Sequence, residues 1–147
     1  MIRLFLDADG CPVTGIAVGL ANTYKIPCTI FCDTAHEISY AGAQTVTVSK
    51  GADSADFALV NAIRCGDIVV TQDYGLAAMC LSKGARVIHQ DGFLYTEENM
   101  DALLFFRAAA KKHRRSGVRL KGPSKRTPQQ DRDFHDALEA LFQEAVQ

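Results

Sequence analysis

The chain has 147 residues, of which 48% are hydrophobic, and a formal net charge of −1; we predict that it folds as one domain spanning residues 1–147. No apolar run approaches the roughly 18 residues that a membrane span needs, so we expect no membrane partner. The N-terminus also lacks a basic segment followed by a long apolar stretch, which predicts a cytoplasmic protein.

Strand-like and helix-like segments alternate along the chain. Apolar runs of strand length occupy residues 2–7, 26–32, 43–49, 67–73 and 85–89. Helical spacing, capping residues or a terminal glycine mark helices over residues 11–25, 52–66, 75–84 and 96–115, and a final helix begins at Thr127 and Pro128. The alternation predicts an α/β fold with three αβα layers and a mainly parallel sheet of four to five strands, followed by C-terminal helices.

The cysteines indicate a reducing environment. They number five, an odd count, and most lie inside apolar runs. We therefore predict reduced thiols and no disulfide-linked partner. Cys11 stands near the start of the first predicted helix, where a thiol pKa can be lowered, but we interpret it as a packing residue.

Charge is divided very unevenly along the chain. Residues 107–132, the basic strip, contain ten Lys/Arg and one acid, and they begin the basic loop and terminal helix predicted over 107–147. Such a strip predicts contact with a polyanion, and we expect RNA as the partner; a merely solvated face is the alternative. The predicted phosphate contacts are Lys111, Lys112, Arg114, Arg115, Arg119, Lys121, Lys125 and Arg126. The pattern does not specify an oligomeric state.

Several aspartates lie at the end of a predicted strand or at the start of a predicted helix. The stretch "LFLDADGCPV" ends an apolar strand with Asp7 and Asp9, which share a face. Asp73 ends the strand over 67–73 in the equivalent place. In parallel sheets ligands bind beyond the carboxyl ends of the strands, so these side chains are predicted to converge if the two strands are neighbours. Asp53 and Asp56 lie three residues apart on one face of the second helix.

Converging carboxylates repel one another unless a cation neutralises them or they share protons. Hard oxygen ligands suit Mg²⁺ or Mn²⁺, which can activate water and stabilise a phosphoryl displacement. The simpler alternative for Asp73 or Asp53, taken alone, is a helix cap. An acid at the end of a strand as apolar as residues 2–7 favours function for Asp7.

Five motifs follow one another along the chain: "LDADGCP", "GADSADFALV", "GDIVVTQDYGLAA", "KGA" and "KGPSKRTPQQDRDF". Their order resembles the uncharacterised bacterial YaiI/YqxD family. That family is similar to PIN-like domains, metal-dependent nucleases with a Rossmann-like sheet. The resemblance implies that Asp7, Asp56 and Asp73 bind the metal and that Asp9 and Asp53 are extra ligands or orient water. PIN nucleases commonly have Glu where this chain has Asp56, and Asp91 is a candidate for their further acid.

We therefore predict a Mg²⁺ or Mn²⁺-dependent phosphodiesterase acting on RNA. One alternative is a non-catalytic RNA-binding module on a nuclease-like scaffold. Another follows from "LDADG", which resembles the first motif of haloacid dehalogenase-type phosphatases and would make Asp7 a nucleophile. Against that reading, Gly66 and Asp67 precede their strand, whereas the family places such a pair after it.

Overall fold

The computed structural model describes residues 1–33, 38–49, 54–115 and 125–146. The predicted strands and helices are all found, mostly with narrower bounds, because flanking residues form turns and caps. In chain order the elements are β1 (Leu4–Asp7), α1 (Thr14–Tyr24), β2 (Cys28–Asp33), β3 (Ala43–Val48), α2 (Ser54–Ala62), β4 (Ile68–Val70), α3 (Tyr74–Ser82), β5 (Arg86–Ile88), β6 (Leu94–Tyr95), α4 (Glu97–Arg115) and α5 (Pro128–Ala145).

The described strands form one six-stranded sheet in the order β3-β2-β1-β4-β5-β6. The first five strands of that order are parallel, and β6 pairs with β5 in the antiparallel direction. The sheet therefore has one strand more than the upper predicted count of five. The α/β class and the mainly parallel sheet are confirmed.

Helices cover both faces of the sheet, because alternate residues of each strand point to opposite sides. On one face, Leu4, Leu6 and Ile30 belong to an apolar cluster that includes residues of α1 and α5. On the other, Phe5 and Val69 belong to a cluster that includes residues of α2 and α3. These two cores give the three αβα layers that the hydrophobic pattern predicts.

Local sequence explains where two of the helices begin. The Thr127 side chain accepts a hydrogen bond from the Gln130 backbone N–H, and the Gln130 side chain accepts one from the Thr127 backbone N–H at the start of α5. Thr96 and Asn99 exchange the same pair of hydrogen bonds at the start of α4, which confirms Thr96 as a cap. Within the described residues, no helix is long and apolar enough to cross a membrane.

The strand order places a crevice at one edge of the sheet. From β1 the chain goes outward to β2 and β3, and it then returns to the other side of β1 for β4 and β5. The connections therefore diverge at the boundary between β1 and β4, and the carboxyl ends of these two strands open onto the gap. Parallel α/β sheets bind their ligands at such a switch point.

Candidate active site

An open cleft of about 560 Å³ lies at this edge of the sheet. Its walls come from the ends of β1 and β5, the first turns of α2 and α3, and the loops between them. Four of its lining residues are carboxylates, and the full lining is Asp7, Asp9, Asp56, Gln72, Asp73, Tyr74 and His89. The structure thus brings together four of the five predicted catalytic aspartates, and the fifth, Asp53, lies outside the described residues.

Asp7 is the last residue of β1 and is held from the neighbouring strand. It follows Phe5 by two residues, so its side chain is on the face that α2 and α3 cover. The buried hydroxyl of Thr71, just after β4, donates a hydrogen bond to Asp7 Oδ2 at 2.8 Å. Thr71 Oγ1 in turn accepts a hydrogen bond from the Asp73 backbone N–H at 3.0 Å. Asp7 and the loop that carries Asp73 are therefore linked through one hydroxyl.

The surroundings of Asp7 disfavour its charged form. Burial, the largest cause, and the charges of Asp56, Asp73 and Asp9 together raise the pKa of Asp7 from its usual 3.8 to about 6, against the lowering effect of the Thr71 hydrogen bond. A carboxylate kept at such a cost in stability is typical of functional sites. The same arrangement gives any cation that enters the cleft a strong electrostatic attraction.

Asp73 is the N-cap of α3 as well as a wall of the cleft. Its Oδ1 accepts hydrogen bonds from the backbone N–H groups of Gly75 at 2.8 Å and Leu76 at 3.2 Å. The capping role that the sequence left open for Asp73 is therefore real. It coexists with a position in the cleft, because the first turn of α3 faces the carboxyl end of β1.

We expect the capping role of Asp73 to be separable from its charge. Asp73→Ala should lower the free energy of unfolding by about 1 kcal/mol, because two backbone N–H groups lose their acceptor. Asp73→Asn should lower it by only a few tenths of a kcal/mol, because asparagine caps helices about as well. Urea unfolding of both variants tests this. Equal losses would show that the charge, and not the cap, stabilises α3.

Asp9 and Asp56 reach the cleft from a turn and a helix. Asp9 follows β1, and its Oδ1 accepts a hydrogen bond from the Asp33 backbone N–H at 3.4 Å, at the end of β2. Asp56 lies in the first turn of α2, where the helix dipole favours a negative charge. Both carboxylates are only partly buried, so they remain accessible to ligands in the cleft.

Comparison with known proteins identifies the family. Residues 5–144 match the family described as "Uncharacterized BCR, YaiI/YqxD family". The chain belongs to this family. It is 46% identical to a UPF0178 protein of Exiguobacterium sibiricum, over 97% of this chain and 98% of the relative. It is also 46% identical to a UPF0178 protein of Clostridium acetobutylicum, over 96% and 97% of the two chains. No solved structure matches the chain significantly.

The match confirms the YaiI/YqxD resemblance seen in the ordered motifs. The further likeness to PIN-like nucleases stays a prediction. The family match also covers the aspartates of the cleft, from Asp7 in "LDADGCP" to Asp73 in "GDIVVTQDYGLAA".

The carboxylates of this YaiI/YqxD chain are of the chemical type that binds a divalent cation, but their geometry limits how many of them can ligate one ion. Their hard oxygens suit Mg²⁺ or Mn²⁺, and Mg²⁺ in proteins is often held by one or two carboxylates, with waters and substrate phosphate completing its shell. Within the described residues, no three carboxylate, imidazole or thiolate side chains form a group that could hold one ion. The cleft therefore fits a largely hydrated ion, not one enclosed by protein ligands.

The predicted phosphate-binding residues are placed only in part. Lys111 and Lys112 are exposed on α4, and Lys125 is exposed just before α5. Arg119 and Lys121 lie outside the described residues, as do the side chains of Arg114 and Arg115.

Arg126 has a structural task in addition to its predicted one. Its Nη1 donates to Asp91 Oδ1, its Nε donates to Asp131 Oδ1 and its Nη2 donates to the Gln90 carbonyl, each at 2.7 Å. These contacts pin the start of α5 to the loop that follows β5. Asp91, a candidate acid, is therefore paired with Arg126 and does not line the cleft.

The cysteines give no sign of chemistry. All five are free. Cys11 packs against the α1 and α5 core, and burial raises the pKa of its thiol, which opposes the thiolate form that a nucleophile needs. The packing interpretation of Cys11 is therefore the one that the geometry favours.

Thr71 and His89 belong to the site but are not among the residues predicted from the sequence. Thr71 lies at the end of an apolar strand, and its link to Asp7 depends on β1 and β4 being neighbours. His89 follows β5 and lines the cleft, although the histidines of the chain show no metal-ligand spacing. A polar residue directly after each buried strand is the pattern that would have found both.

Proposed function

We propose that this protein is a Mg²⁺ or Mn²⁺-dependent phosphodiesterase that cleaves RNA at the four-aspartate cleft, as the PIN-like resemblance implies. The observation that carries the proposal is Asp7, a carboxylate whose pKa burial and three neighbouring aspartates raise to about 6, at the switch point of a parallel sheet. A divalent cation is the simplest group that relieves this repulsion.

In the proposed site Asp7, Asp56 and Asp73 would surround a largely hydrated metal ion and bind it partly through its waters, since no three such side chains of the described residues are close enough to ligate one ion together. Asp9 positions water, and Asp53 is expected to assist it. The ion would supply an activated water and neutralise negative charge on the phosphate. Thr71 keeps the Asp7 carboxylate in place, and the Asp73 backbone orients the Thr71 hydroxyl.

The basic strip supports a polyanionic substrate. Arg126, near its C-terminal end, bonds to Gln90 and Asp91, which directly follow the cleft residue His89. This end of the strip is therefore fixed at the rim of the acidic cleft. A phosphate backbone held by the strip would pass close to the carboxylates.

Two exposed aromatic side chains favour single-stranded RNA. Phe105 and Phe106 on α4 are 70% and 67% exposed, and their rings meet edge to face with centroids 6.0 Å apart. They precede the exposed Lys111 and Lys112 on the same helix. Proteins that bind single strands combine cations for the backbone with aromatic rings on which bases stack.

The second candidate is an RNA-binding module without catalysis. It is favoured by the lack of a three-ligand metal group within the described residues. Such a module would bind RNA with a steep dependence on salt, because each neutralised phosphate releases counterions. It would show no turnover with any metal.

The test is metal binding and cleavage by the same protein. Mn²⁺ and Mg²⁺ are titrated by calorimetry into metal-stripped protein, and the metal-loaded protein is then incubated with labelled single-stranded RNA. We expect binding and metal-dependent cleavage, both abolished when Asp7, Asp56 and Asp73 are all changed to Asn. The matched control changes Asp101, Asp133 and Asp136 to Asn, since these exposed carboxylates on α4 and α5 lie outside the cleft.

The outcomes separate the candidates. Metal binding that survives in the triple cleft variant would show that the site is elsewhere. RNA binding without cleavage under any metal would favour the non-catalytic module. Turnover of small phosphomonoesters with a covalent phosphate trapped on Asp7 would instead favour the phosphatase alternative.

A further inference from the structure

His89 occupies a defined position in the cleft but has no part in the aspartate chemistry. It directly follows β5, the strand next to β4, and it lines the same cleft as Asp7 and Asp73. The residue is only 9% exposed. A histidine this well buried at the edge of an acidic cleft raises the question of what its imidazole does there.

The ring of His89 is held by aromatic contacts with residues that follow it in the chain. It stacks on Phe93 with ring centroids 4.3 Å apart and an interplanar angle of 12°, and it meets the edge of Tyr95. The His89 backbone N–H donates to the Phe93 carbonyl at 2.9 Å, and the Gly92 N–H donates to the His89 carbonyl at the same distance. The imidazole therefore has one orientation.

Gly92 makes this tight loop possible. Its φ is +97°, a conformation that side chains disfavour, and an added Cβ would lie 2.7 Å from the Asp133 carbonyl oxygen on α5. The loop is therefore held against α5 as well as against β6. Its close packing is a property of the fold and does not depend on a ligand.

One hydrogen bond decides the tautomer of His89. The Asp91 backbone N–H donates to His89 Nδ1 at 3.0 Å. Because an amide N–H is only a donor, Nδ1 must offer its lone pair. In the neutral ring the proton is then on Nε2, which makes no hydrogen bond within the described residues.

The same hydrogen bond disfavours several other roles for His89. A proton on Nδ1 would face the Asp91 N–H, so this hydrogen bond disfavours both the imidazolium and the other neutral tautomer, although Asp91 Oδ2 lies 3.7 Å from Nδ1 and favours the charged ring. Nε2 therefore lacks the free lone pair that a metal ligand or a general base needs. Burial also lowers the pKa of His89, and the Arg126 charge lowers it further, against the opposite effect of Asp91.

We propose that His89 is a neutral hydrogen-bond donor that binds a phosphate oxygen of the RNA substrate through Nε2–H, in the cleft that the proposed function assigns to RNA cleavage. A neutral donor suits this place. A lysine or arginine would be drawn to the aspartates, whereas a neutral N–H recognises the phosphate without neutralising the carboxylates. In this role His89 binds and orients the substrate and takes no part in the proton transfers.

The tautomer can be tested without any activity. Long-range ¹H–¹⁵N spectra of the ¹⁵N-labelled protein, assigned by comparison with His89→Gln, should show Nε2 protonated and Nδ1 unprotonated near neutral pH. Addition of a short single-stranded RNA should shift the Nε2 resonance. A protonated Nδ1, or no shift on RNA binding, would overturn the proposal whether or not the protein cleaves RNA.

Kinetics provide the second readout. His89→Leu should raise the KM for RNA by about 10-fold to 100-fold, the usual loss for a hydrogen bond to a charged group, with a smaller change in kcat. His89→Gln should recover most of this loss, because its amide N–H reaches about as far as Nε2. The matched control is His135→Leu, a partly exposed position on α5 outside the cleft.

The two proposals fail in different ways. If the wild-type protein shifts Nε2 on RNA binding but never cleaves, the His89 assignment stands and the proposed function fails. If the wild-type protein cleaves RNA and His89→Leu retains its KM, the His89 assignment is wrong and the proposed function stands.

Discussion

Asp7→Asn is expected to reduce metal-dependent RNA cleavage by on the order of 10³-fold and, at the same time, to stabilise the metal-free protein. The loss of cleavage follows from removing the charge that would bind the ion. The gain in stability follows from the raised pKa of Asp7, which means that the folded protein holds this carboxylate at a cost. Asparagine can still accept the Thr71 hydrogen bond through its side-chain oxygen.

The direction of the stability change depends on pH. An acid whose pKa is higher in the folded state stabilises folding while it is protonated, and it loses that contribution as pH rises through the folded pKa. For Asp7 the contribution is present below the usual value of 3.8 and is lost by the time pH has risen through about 6. The difference between these two pKa values corresponds to a change of about 3 kcal/mol in the free energy of unfolding. Solvent screening in an open cleft reduces this change to about 2 kcal/mol.

The measurement is urea unfolding of metal-free protein at about pH 4 and about pH 7.5. The Asn variant should be the more stable protein at the higher pH, and the difference should shrink at the lower one. Adding Mg²⁺ should raise the free energy of unfolding of the wild type but not of the Asn variant, because a ligand stabilises the state that binds it. Asp136→Asn, an exposed control on α5, should change neither property. A destabilised Asp7→Asn at neutral pH would contradict the electrostatic account.

Much of the site follows from the sequence because parallel strands place their carboxyl ends at one edge of the sheet. Strand-ending positions for Asp7 and Asp73 are enough to predict that they share an edge. The prediction that they converge required β1 and β4 to be neighbours, and the strand order confirms it. Asp56 reaches the same cleft because α2 crosses the face to which Asp7 points.

Features that depend on contacts between distant parts of the chain could not be predicted from the sequence. The two-residue strand β6 is too short for any periodic pattern, and it forms because the turn at Gly92 returns the chain to β5. The tautomer of His89 depends on a backbone N–H two residues away. Charge composition predicted a phosphate contact for Arg126, but composition does not reveal that its guanidinium meets Asp91 and Asp131.

Asp67 lies at the other end of the same strand pair and, unlike Asp7, is surrounded by positive and hydrogen-bond-donating groups. Because Asp67 precedes β4, its position does not match the later acidic motif of the phosphatases. In the structure its side chain is 4% exposed and forms an ion pair with Arg3 at 2.8 Å. Its oxygens also accept hydrogen bonds from the backbone N–H groups of Arg3 and Arg64. Asp67 has a positive charge and two backbone donors as partners, whereas Asp7 has the Thr71 hydroxyl and three negative neighbours. The Asp67 carboxylate therefore stabilises the sheet.

Asp67→Ala is therefore expected to lower the free energy of unfolding by about 3 kcal/mol, since it leaves the Arg3 charge and two backbone N–H groups without their acceptor. The midpoint of thermal unfolding should fall by about 10 °C. Asp67→Asn, which keeps one acceptor oxygen, should lose roughly half as much. Cleavage per folded molecule should not change in either variant, because Asp67 lies at the amino end of β4 and the cleft at its carboxyl end. A loss below about 1 kcal/mol for Asp67→Ala would show that the pair contributes no more than an exposed one.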